Sequence, residues 1–214
     1  MKRIIVYGAS GHAKVLLDTL ERMGEYEIVG LVDDNVKLVG QEVFGHRVLG
    51  DTRILGEVRA MGVEASIVGI GDNKTRGALA NRMLEYGLEL INAIHPSACI
   101  SGGVHIGPGS AMMANAVVNA DSSLGANVIV NTAATIDHDN VIGDCVHLSP
   151  GVHLSGGVTI GAYSHLGTGV VVIPNIRIGE HVTVAAGSVV TKDLPDGITA
   201  AGVPARVVTG KSDR

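Results

Sequence analysis

The chain has 214 residues and a formal net charge of -5 at pH 7, with 16 Lys and Arg against 21 Asp and Glu. This charge, without any run of basic residues, argues against nucleic acid or an anionic membrane surface as the main partner and favours small molecules. Two cysteines without Cys-x-x-Cys spacing indicate neither a disulfide framework nor a zinc knuckle, and they are typical of a reducing cytoplasm.

The first predicted element is a short strand. In KRIIVYGASGHAK only four apolar residues precede a glycine turn, which is too short for the apolar region of a signal peptide. A helix follows the turn, and its spacing places Val15, Leu16, Thr19 and Leu20 on one face.

Two more strands and a second helix complete a βαβαβ unit over residues 1–92. EYEIVGLVDD predicts a strand ending in Asp33 and Asp34, and ASIVGIGDN predicts a strand before the helix KTRGALANRMLEYG. We therefore expect a Rossmann-like α/β domain with a parallel sheet. Ligands of such sheets bind at the carboxyl ends of the strands, so the glycine turn and the two aspartates are candidate site residues.

The glycine turn leaves alternatives open. Gly8, Gly11 and the two aspartates invite an NAD-binding reading, but the turn reads GASGHA and lacks one glycine of the G-x-G-x-x-G pattern. An NAD-linked oxidoreductase is one alternative, and a helix-capping turn beside two solvated aspartates is another.

A six-residue repeat organises residues 93–214. Aliphatic side chains recur at every sixth position, at Ile94, Ile100, Ile106, Met112, Val118, Leu124, Val130, Ile136, Ile142, Leu148, Leu154, Ile160, Leu166, Val172, Ile178, Val184 and Val190. A glycine follows every third of them, which makes eighteen residues one coil. A short strand and a corner, repeated, predict a triangular parallel β-helix. The uncharged stretch 146–176 keeps this period and is rich in Gly, Ser and Pro, so we reject a membrane span.

The acid–base residues gather in one part of the repeat, TIDHDNVIGDCVHL at 135–148. His138 lies between Asp137 and Asp139, beside Asn140, which departs from the Ser, Ala and Val usual at that corner position. A flanking carboxylate can accept the imidazole N–H and raise the basicity of the ring. His138 is therefore a candidate general base.

The hexapeptide run and the ending AAGVPARVV resemble the hexapeptide-repeat acyltransferases, whose β-helix is left-handed. A Rossmann-like domain carrying GASGHAK and VDD, joined to such a helix, resembles the sugar-nucleotide acetyltransferases over nearly the whole chain. That family includes bacillosamine and perosamine N-acetyltransferases and sialic acid O-acetyltransferases. The resemblance implies acetyl-CoA as co-substrate, a nucleotide sugar as acceptor and a homotrimer with its active sites between subunits.

The resemblance also implies roles for residues. His138 is the general base, oriented by Asp139, and acetyl transfer is direct. Nucleotide-sugar contacts fall on Gly8, Ser10, Gly11, His12, Asp33, Asp34, Gly71, Asp72 and Asn73. The contacts at Gly11 and His12 have a physical basis, because the backbone amides at a helix N-terminus favour a bound phosphate. Acetyl-CoA contacts fall on His147, on the small residues Gly167, Thr168, Ala185 and Ala186, and on Lys192 and Arg206.

Other candidates are set aside. Five histidines, His46, His95, His105, His153 and His181, are interpreted as surface residues because no partner is evident. Cys145 lacks an activating neighbour. We expect no metal, because adjacent strand residues such as Asp137 and His138 point to opposite sides. Two rival functions stay open, a sugar O-acetyltransferase and a non-catalytic nucleotide-sugar-binding module.

Overall fold

A computed structural model of the protein describes residues 1–208. The N-terminal domain has one six-stranded sheet, in the order β3-β4-β2-β1-β5-β6, parallel except for the β3–β4 hairpin. Its elements in chain order are β1 (Lys2–Tyr7), α1 (Gly11–Met23), β2 (Tyr26–Val32), β3 (Glu42–Val43), β4 (His46–Gly50), α2 (Leu55–Ala60), β5 (Ala65–Val68), α3 (Asn73–Glu85) and β6 (Glu89–Leu90). The predicted Rossmann-like domain is confirmed.

Helix α1 buries a different face from the one predicted. Leu16 and Leu20 are buried as expected, but Leu17 is fully buried and Val15 is exposed. The reason is that α1 packs against the sheet on one side and against the second domain on the other. The hydroxyl of Thr19, for example, lies 3.8 Å from the sulfur of Met113. Burial on two sides widens the apolar arc beyond a single stripe.

The second domain is a parallel β-helix. Its two-residue strands are β7 (Ala93–Ile94), β8 (Cys99–Ile100), β9 (His105–Ile106), β10 (Ala111–Met112), β11 (Val117–Val118), β12 (Ser123–Leu124), β13 (Ile129–Val130), β14 (Thr135–Ile136), β15 (Val141–Ile142), β16 (His147–Leu148), β17 (His153–Leu154), β18 (Thr159–Ile160), β19 (His165–Leu166), β20 (Val171–Val172), β21 (Arg177–Ile178), β22 (Thr183–Val184) and β23 (Val189–Val190). A hairpin of β24 (Thr199–Gly202) and β25 (Ala205–Val207) follows. The second residue of each short strand is the repeated aliphatic, and these side chains form the core. The left-handed parallel β-helix is confirmed.

The strands form three faces. The docking face consists of β7, β10, β13, β16, β19 and β22 with the final hairpin; the second face consists of β8, β11, β14, β17, β20 and β23; the third face consists of β9, β12, β15, β18 and β21. Neighbouring strands on a face pair in parallel and lie eighteen residues apart, as in His147 opposite His165. Equivalent residues of successive coils therefore stack.

Each corner needs a left-handed backbone residue. Positive φ recurs at every sixth residue from Gly103 to Gly187. Glycine fills six of these positions, and five of the others are Asn or Asp, the side chains that tolerate this conformation best. The next residue points inward, which explains why Ser, Ala and Val recur there.

The corners stack into three edges, named here for later use. The clasp edge, between the third and docking faces, contains Asn127, Cys145 and Tyr163. The ledge edge, between the docking and second faces, contains residues 149–152, 167–170 and 185–188. The histidine edge, between the second and third faces, contains His138 and Gly156. The docking face packs on the N-terminal domain. Three β-helix residues, Ala93, Ala111 and Met113, belong to the same hydrophobic cluster as the core of that domain.

The chain passes from β6 to β7 between Leu90 and Ala93, and the domain boundary between 92 and 93 stays a prediction. The predicted second domain extends to residue 214, of which 209–214 lie outside the described residues. Among the helices of residues 1–208, none has the length and apolar character needed to cross a membrane.

Candidate active site

The glycine turn after β1 begins the candidate site. Gly8 has φ 110°, and a Cβ there would lie 2.8 Å from Ile70 Cδ1 and 3.0 Å from the Gly69 carbonyl oxygen, so only glycine fits. Ser10 is the N-cap of α1. A Cβ at Gly11 would meet nothing within 4 Å. The turn therefore presents the open N-terminus of a thirteen-residue helix, a geometry that favours anions.

The two aspartates after β2 have different surroundings. Asp33 accepts hydrogen bonds from the amides of Ala9 at 2.8 Å and Asn35 at 2.8 Å, so it ties the second strand to the glycine turn. Asp34 accepts from the amide and the hydroxyl of Thr52. Both carboxylates thus shape the carboxyl edge of the sheet, and their predicted contacts to a nucleotide stay predictions.

The turn before α3 forms one wall of a cleft of about 600 Å³ between the domains. Asp72 caps α3 by accepting from the amide of Thr75 at 2.9 Å. The cleft is lined by Gly71, Asp72, Asn73, Lys74, His147, Tyr163, His165, His181 and Thr183. The side chain of Asn73, however, is buried, and its amide nitrogen donates to the carbonyls of Tyr163 and Ser164 on the β-helix.

His147 and His165 stack one coil apart on the docking face, as the eighteen-residue period predicts. Their ring centroids are 4.8 Å apart with an interplanar angle of 16°. His147 Nδ1 lies 3.3 Å from the Gly71 carbonyl and its Nε2 lies 3.3 Å from Asn131 Nδ2. A carbonyl accepts and an amide donates, so these contacts select the neutral tautomer with the proton on Nδ1. Burial, with a smaller contribution from the nearby His165, lowers the pKa of His147 to about 3.

His12 extends this group into the N-terminal domain, with its ring centroid 6.3 Å from that of His147. Its Nε2 is buried and has no hydrogen-bond partner within residues 1–208. Burial, reinforced by the charge of Arg76, lowers its pKa to about 4. At neutral pH His12 and His147 are therefore uncharged imidazoles, placed between the helix N-terminus and the cleft.

His138 lies on the histidine edge, opposite the docking face. Its side chain is 61% exposed, and Nδ1 lies 2.7 Å from a carboxylate oxygen of Asp139. Nε2 makes no hydrogen bond within residues 1–208, so one ring nitrogen is free while a carboxylate orients the other, the arrangement expected of a general base. Asp137 does not take that role, because it accepts from the backbone amide of His138 and from the side chain of Asn119.

Asn140 fixes the backbone of this corner from inside. It is fully buried, and its amide nitrogen donates to the carbonyls of Asp137 at 2.6 Å and His138 at 3.1 Å. Its side-chain oxygen accepts from the amide of Val158 in the next coil. The departure from Ser, Ala or Val at position 140 is thus explained by two carbonyls that a shorter side chain cannot reach.

The physical argument against a metal at Asp137–Asp139 was wrong. These residues lie in a turn rather than a strand, and the neighbours His138 and Asp139 do meet. Among residues 1–208, no group of three or more His, Cys, Asp or Glu is arranged to hold a metal ion.

The ledge edge carries the four small residues among the predicted acetyl-CoA contacts. Thr168 and Ala186 are exposed there, and a Cβ on Gly169 or Gly187 would meet nothing within 4 Å. Gly167 packs tightly instead, since a Cβ would lie 2.7 Å from the amide nitrogen of Ala186. Ala185 is half-buried beside them, and Lys192 and Arg206 are exposed near the C-terminal end of the β-helix. Their contacts with acetyl-CoA stay predictions.

The sequence missed several contacts of residues in and near the site. His181 is exposed, as predicted for a surface residue, but it also lines the cleft and stacks on Tyr163, with ring centroids 5.1 Å apart. His46, His95 and His153 also have partners, namely Glu21, Ser97 and Thr135. Eighteen-residue stepping from 145 to 163 and 181 would have indicated the Tyr163–His181 stack. Cys145 is buried, which raises its pKa, as expected for an unreactive thiol.

The pH dependence of activity follows from the His138–Asp139 contact. That hydrogen bond, with a smaller contribution from the charge of Asp137, raises the pKa of His138 above its usual 6.5. A general base works only when neutral, so we expect kcat/KM to fall as pH decreases through this raised pKa. Replacing Asp139 with asparagine removes the negative charge, and the acidic limb of the pH–rate profile should move to lower pH.

Asp121→Asn is the matched control, because Asp121 has the same corner position and positive φ one coil earlier. It should leave the profile unchanged. An acidic limb that stays in place in Asp139→Asn would show that Asp139 does not set the pKa of the base.

Comparisons with known proteins agree with this arrangement. Residues 3–83 match the family model for the PglD N-terminal domain, and residues 157–192 match the model for the bacterial transferase hexapeptide. The chain is 38% identical over 117 residues to UDP-N-acetylbacillosamine N-acetyltransferase from Bacillus subtilis, a match spanning 53% of this chain and 52% of that protein. The chain thus matches about half the length of this curated relative.

Solved structures match over nearly the whole chain. PerB from Caulobacter crescentus, in complex with CoA and GDP-perosamine, is 41% identical with a TM-score of 0.93, and the match covers 97% of this chain and 98% of that one. The acetyltransferase domain of PglB from Neisseria gonorrhoeae, in complex with acetyl coenzyme A, is 39% identical with a TM-score of 0.90 over 97% and 99% of the two chains. The chain therefore belongs to the family of sugar N-acetyltransferases, acyltransferases that join a Rossmann-like domain to a hexapeptide-repeat β-helix.

Proposed function

We propose that this protein transfers the acetyl group of acetyl-CoA to the 4-amino group of a nucleotide-linked 4-amino-dideoxy sugar. The observation that carries the proposal is the exposed His138 with its Asp139 partner, in a chain whose relatives are solved with CoA and GDP-perosamine. His138 Nε2 accepts a proton from the amine as its nitrogen attacks the thioester carbonyl. The nitrogen–carbon bond forms, the carbon–sulfur bond breaks, and CoA leaves as the thiolate that takes up a proton.

The nucleotide sugar is proposed to bind at the carboxyl edge of the N-terminal sheet. Its diphosphate would lie on the N-terminus of α1, where Gly11 leaves open space. Asp33 and Asp34 border the same edge from the end of β2, and the cleft at Gly71–Lys74 continues from it toward His147. The pantetheine arm of acetyl-CoA is proposed to follow the small residues of the ledge edge.

We further propose a homotrimer with the active site shared between chains. In one chain the cleft lies on the docking face and His138 lies on the edge opposite that face. The two parts cannot act on one substrate within a chain, whereas a neighbouring chain in a ring can bring its histidine edge to the cleft. Free, unpaired cysteines support a cytoplasmic location.

The test of the reaction is thiol release from acetyl-CoA with a panel of UDP- and GDP-linked 4-amino sugars, with sialic acid as a hydroxyl control. Turnover on an amino sugar is expected and would identify the nucleotide. Turnover only on sialic acid would assign O-acetylation instead. Binding of nucleotide sugars without turnover on any acceptor would point to a non-catalytic module.

The shared site is tested by complementation. His138→Ala removes the base, and Gly11→Glu places a negative charge where the diphosphate is proposed to bind. Each variant alone should be inactive. Co-expressed in equal amounts, they should recover up to about a quarter of wild-type activity, because random assembly leaves that share of sites with both parts intact. No recovery in mixed assemblies would place the whole site within one chain.

A further inference from the structure

The side chain of Arg76, on α3, is a buried cation that the proposed chemistry does not use. It is 1% exposed, the largest fully buried side chain in the described residues. Burial lowers its pKa to about 10, so it remains charged at neutral pH. A charge in such a position needs a full set of hydrogen-bond partners.

All five N–H groups of the guanidinium have acceptors. Nε donates to the Asn127 carbonyl at 2.9 Å, and Nη2 donates to the Cys145 carbonyl and to Asn73 Oδ1, both at 2.8 Å. Nη1 donates to the carbonyls of Gly71 at 2.9 Å and Ile70 at 3.2 Å. The charge is thus solvated by neutral oxygens, four of them from the backbone, in a fork geometry that lysine cannot reproduce.

The acceptors on the β-helix form a ladder. Asn127, Cys145 and Tyr163 are equivalent residues of three successive coils, and all have positive φ. Arg76 binds the first two carbonyls, and Asn73 binds the third. The first residues of α3 therefore hydrogen-bond to the clasp edge at three successive coils.

The same guanidinium also reaches the cleft. Gly71 accepts from Arg76 with the carbonyl that accepts from His147 Nδ1. Arg76 thereby fixes both the turn that forms the cleft wall and the hydrogen bond that sets the tautomer of His147. His147 in turn stacks on His165.

We propose that Arg76 is a positioning residue that sets the geometry of the nucleotide-sugar cleft. It holds the Gly71–Asn73 turn against two coils of the β-helix, and it fixes the Gly71 carbonyl that selects the tautomer of His147. The link to a nucleotide sugar rests on the proposed function. The contacts of Arg76 with Gly71 and the clasp edge, called the clasp below, do not depend on that function, so they can be tested without measuring turnover.

The experiment compares Arg76→Lys with wild type and with Arg82→Met, which removes an exposed arginine from the same helix. Hydrogen exchange at residues 70–76 should become faster in Arg76→Lys while exchange in the β-helix core stays slow. The imidazole ¹⁵N spectrum of His147 should lose the pure Nδ1–H signature. Arg82→Met should match wild type in both measurements.

Kinetics then separate the clasp from the proposed function. In Arg76→Lys, KM for the nucleotide sugar should rise by about 10- to 100-fold, as expected for losing hydrogen bonds from a charged donor. The value of kcat should stay within about threefold of wild type. If no acceptor is acetylated by the wild type, the proposed function fails while the exchange and tautomer results still decide the clasp.

Two results would overturn the proposal. One is an Arg76→Lys protein with unchanged exchange at 70–76 and an unchanged His147 spectrum. The other is faster exchange spread evenly through both domains, which would make Arg76 a contributor to overall stability only. Arg76→Met removes the charge and every donor. Under conditions in which this variant folds, it should show a larger increase in exchange at residues 70–76 and a larger change in the His147 spectrum than Arg76→Lys.

Discussion

Replacing His138 with alanine is expected to lower kcat by about 100- to 10,000-fold, because the amine then has no positioned base to accept its proton. The side chain is 61% exposed, so its loss should disturb neither the β-helix core nor substrate binding. KM for both substrates is therefore expected to change little. The measurement is steady-state thiol release at saturating substrates, with thermal unfolding as a check on the fold.

His105→Ala is the control for this variant, since His105 is an exposed histidine on the third face of the same β-helix. It should retain full activity. A decrease in kcat of less than about fivefold in His138→Ala would be too small for a general base. The Caulobacter enzyme has been solved with one histidine replaced by Asn or Ala, so equivalent structures of the His138 variants are a practical companion measurement.

Replacing Gly156 with alanine is expected to lower kcat by about 10- to 100-fold without removing any catalytic group. Gly156 is one coil beyond His138, and a Cβ there would lie 2.5 Å from Cε1 and 2.7 Å from Nε2 of the His138 ring. The ring must move to relieve this contact, and a base displaced by about 1 Å can lose about 100-fold in rate. The measurement is kcat with a crystal structure of the variant.

Gly102→Ala is the matched control, because Gly102 has the same register three coils earlier and a Cβ there would meet nothing within 4 Å. It should leave kcat unchanged. Full activity in Gly156→Ala, with the ring of His138 still over residue 156, would show that the contact does not constrain the base.

The three edges of the β-helix have separate tasks in this interpretation. The clasp edge holds the N-terminal domain through Arg76 and Asn73. The histidine edge carries the proposed base, and the ledge edge is open along a row of small residues. A prism of repeated coils allows this division, since each edge is an independent column of stacked corners.

Much of the fold could be predicted from the sequence because its signals are local. Each repeated aliphatic from Ile94 to Val190 is the second residue of a strand. The eighteen-residue period correctly stacks His147 on His165. The prediction for α1 was wrong at Val15 because it treated the helix as a surface element with one buried face, whereas α1 is covered on two sides.

The candidate site was predicted only in part. Resemblance and local pattern indicated His138 and Asp139, and the structure brings these two into contact. The same approach grouped Asn73 with the substrate residues, and Asn73 does line the cleft, but the sequence did not predict that its side chain binds Tyr163, Ser164 and Arg76. No sequence motif predicts that Asn73 binds a residue ninety positions away, because such contacts depend on how the two domains pack together.

The sequence alone determined the parallel sheet, the coil of eighteen residues and the corner that presents His138, because each follows from residue spacing within a few positions along the chain. Only the tertiary structure decided that Arg76 is buried against two coils, that Tyr163 and His181 line the cleft, and that the cleft faces away from His138 within its own chain. These features depend on which face of the prism meets the N-terminal domain. That choice is made by complementary packing between residues far apart in sequence, which no local period encodes.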